Sequence, residues 1–110
     1  MIATMSLVSI GLTTGIAAAP AHAANGCPLG YVCIYSPEGW DRNSPENVYY
    51  RYDLYPLYNQ YGDHVIFNNQ TGGARVSLCE RNDYCSFGTN KTTPFHYNLT
   101  PFNYIWVSSV

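Results

Sequence analysis

The hexapeptide Tyr52-Asp53-Leu54-Tyr55-Pro56-Leu57 returns later in the chain as Tyr97-Asn98-Leu99-Thr100-Pro101-Phe102. Both copies fit the pattern Y-[D/N]-L-x-P-[L/F]. Each stands downstream of a C-x5-C segment and upstream of a β-branched run, Val65–Phe67 in the first half and Ile105–Val107 in the second. A duplicated order of this kind points to a fold built from two like halves. Neither half is long enough to bury an apolar face alone, so each must pack on the other.

The residues between these landmarks carry strand and turn signals and no helical period. Tyr31-Val32-Cys33-Ile34-Tyr35 is a β-branched and aromatic run, bounded by Gly30 and by Ser36-Pro37-Glu38-Gly39. His64-Val65-Ile66-Phe67 stops at the turn-forming stretch Asn68–Gly73, Ala74–Leu78 alternates into Cys79, and Tyr104–Val107 forms a last strand. The expectation is an all-β domain of about eight short strands, two four-strand units packed face to face as a sandwich.

From Met1 to Ala23 the chain carries no charged residue, is apolar around Leu7–Ile16, and ends in Pro20-Ala21-His22-Ala23. Small side chains at Ala21 and Ala23 match an A-x-A cleavage site, so residues 1–23 read as an export signal and 24–110 as a single domain. The basic opening of a signal is missing, Arg42 being the first basic residue. A retained membrane anchor is the competing reading, disfavoured by Gly11, Gly15, Pro20 and the A-x-A end.

All four cysteines fall after Ala23. Export places them in an oxidising compartment, and a small core benefits from covalent support. Two identical spacings favour Cys27–Cys33 and Cys79–Cys85, each closing a small loop worth roughly 2 kcal/mol in the chain-entropy picture. A zinc site is the rival reading, but structural zinc prefers closer cysteine pairs and no histidine completes the set.

Composition removes several function classes. The formal charge is −2 and the five basic residues, Arg42, Arg51, Arg75, Arg81 and Lys91, are scattered, so no patch for nucleic acid can be assembled. Nothing after Ala23 is long and apolar enough for a membrane, and no phosphate-binding glycine loop or cofactor motif occurs. His64 and His96 lie outside any metallopeptidase or hydrolase motif and read as surface or turn histidines. No enzyme is expected, and no cofactor.

Tyr49, Tyr52, Tyr55, Tyr58 and Tyr61 recur every three residues, a period of neither strand nor α-helix. They are read in two ways: as a tyrosine-rich segment that turns a corner at Pro56, or as an exposed ledge for sugar rings or a peptide.

The block Cys27-Pro28-Leu29-Gly30-Tyr31-Val32-Cys33-Ile34-Tyr35-Ser36, with Gly39 after it, resembles the start of the small secreted metalloproteinase inhibitors of actinobacteria, peptidase inhibitor family I36. Gly73-Ala74-Arg75-Val76-Ser77-Leu78-Cys79, followed by Cys85, is similar to their second disulfide region. The resemblance implies a βγ-crystallin-like fold of two Greek keys, in a secreted protein; a monomer is expected. It implies a zinc metallopeptidase as partner, engaged in its active-site cleft. The inhibitory bond would be Cys79–Glu80, and Arg81, Asn82, Asp83 and Tyr84 would lie along the cleft. A disulfide loop loses little entropy on binding and keeps the new ends together after cleavage. Glu80 departs from the pattern, since thermolysin-like enzymes favour an apolar residue after the cut bond, and a carboxylate there costs several kcal/mol unless a cation meets it.

The same fold suggests calcium, for which Asn59 and Asp63 are weak candidates; too few oxygen ligands accompany them for a metal to be expected. The alternative to inhibition is a non-inhibitory module that binds cell-wall glycans through the tyrosine segment, or a killer-toxin-like antimicrobial of the same fold.

Overall fold

The computed structural model describes residues 23–109. The export signal expected over 1–23 lies outside these residues except for Ala23. The described chain is all-β apart from one short helix. In chain order the elements are β1 (Tyr31–Tyr35), α1 (Pro37–Asp41), β2 (Asn47–Tyr49), β3 (Asp53–Pro56), β4 (Asp63–Asn69), β5 (Arg75–Arg81), β6 (Tyr84–Thr89), β7 (Phe95–Asn98) and β8 (Tyr104–Ser108). The helix stands where the sequence signals only a turn. Ser36 caps it, its Oγ accepting from the Gly39 N–H at 2.9 Å, and Pro37 occupies the first turn, where its missing N–H costs nothing.

The strands form two four-stranded antiparallel sheets, ordered β2-β1-β4-β7 and β3-β8-β5-β6. If β1–β4 are one half and β5–β8 the other, each sheet holds three strands of its own half and the third strand of the other. The expected packing of two self-contained four-strand units is therefore corrected in one respect: β3 and β7 have exchanged sheets. The result is two interlocked Greek keys in one small β sandwich.

The main core lies between the sheets. Val32, Ile34 and Ile66 from the first sheet meet Val76, Leu78, Ile105 and Val107 from the second, with Leu57, Leu99 and Phe102 closing it from the connections. Side chains alternate across a strand, so the opposite faces of the same strands need separate accounts. On the first sheet, Cys33, Tyr35, Val65 and Phe67 point outward and are buried nonetheless, because residues 24–30 and α1 cover them. Tyr35 lies fully buried beneath Trp40, ring centroids 5.0 Å apart and edge-on, and its hydroxyl donates to the Asn25 carbonyl at 2.8 Å. This second cluster explains why β1 reads as an unbroken apolar run, since both its faces are covered.

The outer face of the second sheet has no such cover. There Leu54 of β3 is in register with Trp106 of β8, and Trp106 with Ser77 of β5. Trp106 is 43% exposed.

A disulfide-clamped hairpin and an uncovered cleft

Both disulfides pair as the spacings favour, Cys27 with Cys33 and Cys79 with Cys85. Their settings differ. Cys27 and Cys33 are fully buried in the cluster outside the first sheet, so this bridge fastens the 24–30 segment over that sheet. Cys79 and Cys85 face each other directly across β5 and β6, with Cα atoms 3.8 Å apart.

The second cysteine segment is thus a hairpin and not an open loop. Glu80 and Arg81 finish β5, Tyr84 pairs with Arg81 to open β6, and Asn82-Asp83 form the tip. The register shifts between Cys79 and Arg81, as expected where a bulge re-aims a strand end. At the tip the Arg81 Nε lies 3.5 Å from Asp83 Oδ1, and its guanidinium sits 5.0 Å from the Tyr84 ring centroid. Both charged groups are well exposed, so this pair orients the tip and adds little stability.

The Cys79–Glu80 peptide bond lies within the sheet. Cys79 is buried, and its carbonyl accepts from the Asn103 N–H at 2.9 Å. The Asn103 side chain donates from Nδ2 to the Glu80 carbonyl at 2.8 Å. One residue therefore occupies both carbonyls flanking Glu80, which is itself exposed. The residues held forward are Asn82, Asp83 and Tyr84, the last half exposed.

Behind the tip lies an open cleft of about 410 Å³, lined by Leu54, Trp106, Cys85, Asn82 and Asp83. It joins the hairpin to the uncovered apolar pair of the second sheet. Leu54 stands in the repeated hexapeptide, which gives no sign of the face it takes; for Trp106 a signal is present in Tyr104-Ile105-Trp106-Val107, where period two puts it opposite the core residues Ile105 and Val107.

The five tyrosines at three-residue spacing are divided by the fold. Tyr49 and Tyr55 turn inward and pack on the core, ring centroids 4.6 Å apart, while Tyr52, Tyr58 and Tyr61 are more than half exposed. Burial, then the nearby Tyr55 hydroxyl and Glu46 carboxylate, push the Tyr49 phenol up to about 12. The corner at Pro56 is present, β3 ending there.

His64 corrects its reading as a surface or turn residue. It is buried in β4, its Nδ1 3.0 Å from the Gly62 carbonyl and its Nε2 3.9 Å from Glu46. His96 is exposed on β7. Asp63 and Asn59 are exposed around a turn stitched to the second half by Gly62, whose N–H donates to Thr100 Oγ1 at 2.7 Å. Among the described residues no three histidines, cysteines or acids are grouped to hold a metal ion. No helix among them is long and apolar enough to cross a membrane.

Comparison with family models, curated proteins and solved structures finds no match to this chain.

Proposed function

We propose that this protein is a secreted, non-catalytic inhibitor that presents the β5–β6 hairpin, with the Trp106 cleft behind it, to the active-site cleft of a zinc metallopeptidase. The observation that carries the reading is the cross-strand Cys79–Cys85 bridge, which fixes a projecting tip beside the uncovered Leu54–Trp106 pair. A tip already held in its bound shape loses little entropy on association, and a half-exposed tryptophan in a cleft is the kind of side chain on which binding energy concentrates. The two disulfides suit an oxidising compartment, which supports secretion. The resemblance of the Cys27–Ser36 and Gly73–Cys79 blocks supplies the class of partner.

With the Cys79 and Glu80 carbonyls already bonded to Asn103, the hairpin acts as a wedge that blocks the cleft, and the Cys79–Glu80 bond stays intact. The protein, freed of residues 1–23, is titrated against thermolysin-like metallopeptidases. Stoichiometric inhibition is expected, weakened about tenfold or more by Trp106→Ala and strongly by replacing Cys79 and Cys85 with Ser. Glu80→Val, which removes a carboxylate from the rim of the contact, is expected to tighten it. Absence of both inhibition and complex formation, with native and Glu80→Val proteins alike, would sink the proposal. Mass spectrometry after long incubation distinguishes wedge from substrate, since a cut at Cys79–Glu80 contradicts the wedge.

A further inference from the structure

A second cleft, of about 400 Å³, opens well away from the hairpin tip in sequence and is lined by Leu29, Gly30, Tyr50, Tyr52, Gln70 and Thr71. Three separate connections meet there: the Cys27–Cys33 loop, the β2–β3 link and the β4–β5 turn. Tyr50 and Tyr52 are 61% and 52% exposed, a large apolar area to leave in water. Single exposed aromatics are ordinary, but two that flank a concave site beside the exposed Leu29 call for an occupant.

The site is held in shape. Tyr31 packs against the Tyr50 ring with centroids 5.1 Å apart. Gly30 holds φ +97°, a backbone conformation that L side chains rarely adopt, and its backbone forms the floor beside that ring. The Gln70 amide is oriented by donating Nε2 to the Tyr50 carbonyl at 2.8 Å, while its backbone N–H donates to Asn68 Oδ1. The other polar side-chain groups of the lining are the Gln70 Oε1 and the hydroxyls of Thr71, Tyr50 and Tyr52. Among the described residues no charged side chain lines the cleft.

We infer that this cleft binds a neutral pyranose oligosaccharide. Such a ligand has apolar C–H faces that pack on phenol rings and equatorial hydroxyls that need amide and hydroxyl partners, and this lining offers both. A charged polysaccharide would find no counter-ion in it. The inference is independent of the hairpin reading, because the two clefts share no residue.

The test uses the protein freed of residues 1–23 and measures binding of soluble chito- and cello-oligosaccharides by calorimetry, with a polyproline peptide as the competing ligand class. Binding of at least one neutral oligosaccharide is expected, weakened about tenfold by Tyr52→Ala and several-fold by Gln70→Ala, and unchanged by Trp106→Ala. Tyr52 is 52% exposed and outside both core clusters, so Tyr52→Ala is expected to stay folded, checked by an unchanged thermal unfolding midpoint, and retained binding by that variant would overturn the assignment. So would binding of the polyproline peptide in preference to every sugar, or loss of sugar binding in Trp106→Ala alone.

Discussion

The two disulfides offer a controlled comparison, because each joins cysteines six residues apart. The restriction they place on the unfolded chain is therefore the same, about 2 kcal/mol each in the chain-entropy picture. Any difference between removing one and removing the other must come from the folded state. Replacing Cys79 and Cys85 with Ala leaves a hairpin whose strands still pair, and whose β5 edge is also held by β8. One of its sulfurs lies on a partly exposed residue, so water can fill the gap. Replacing Cys27 and Cys33 with Ala removes two sulfurs from fully buried positions against Tyr35, Val65 and Phe67. Voids of that kind add about 1–2 kcal/mol. With Cys79 buried and Cys85 partly exposed, losing Cys79–Cys85 should thus cost about 2–3 kcal/mol and losing Cys27–Cys33 about 3–4 kcal/mol. Urea unfolding under non-reducing conditions reads the difference as a lower midpoint at unchanged slope. Limited proteolysis should then cut the Cys27/Cys33 variant between Ala24 and Gly30, where the covering segment has lost its fastening. Equal losses, or a greater loss at Cys79/Cys85, would refute the distinction drawn between a buried fastener and a hairpin clamp.

Three further outcomes follow from single positions. Gly26 has φ +77° and a Cβ there would lie 2.0 Å from the Asn43 carbonyl oxygen, so Gly26→Ala should cost roughly 2–4 kcal/mol, measured by thermal unfolding. The folded state holds the Tyr49 proton above the usual phenol range, so its contribution is complete below pH 10 and is lost as pH rises toward about 12; with its partial exposure allowed for, the loss is about 2 kcal/mol. Denaturation midpoints across that window should fall less steeply in Tyr49→Phe, and equal slopes would contradict the assignment. Asn103→Ala removes the Nδ2 bond to the Glu80 carbonyl and should cost about 1 kcal/mol, with faster amide exchange confined to the β5–β6 hairpin.

Strand positions were the most legible part of the sequence. β1, β4, β5 and β8 fall where β-branched runs are bounded by turn residues, because burial on a pleated surface selects those side chains locally. The hexapeptide repeat announced two like halves, and Leu57 and Phe102 do occupy matching places in the core. It does not carry residue-by-residue geometry: the strand runs through the first copy as Asp53–Pro56 but ends at Asn98 in the second. Consequently Leu54 faces the uncovered side of a sheet while Leu99 is fully buried. The exchange of β3 and β7 left no local mark, since a strand's neighbours are chosen by long-range packing. The covering of the first sheet was hidden for the same reason, and with it the difference between the two disulfides. At the hairpin, Cys79 and Cys85 were visible as a pair, whereas the two carbonyls held by Asn103 depend on a contact between distant segments.

The exchanged strands also set the order in which this chain can acquire its shape. When β1 to β4 have emerged, β4 still has an unpaired edge, because its outer neighbour is β7, near the far end of the chain. An open edge beside an apolar run is a template for pairing with other molecules. The first half therefore cannot be finished and set aside while the second is made; both close together, once residue 98 is in place. Late, concerted closure is thus a property written into which strand sits beside which.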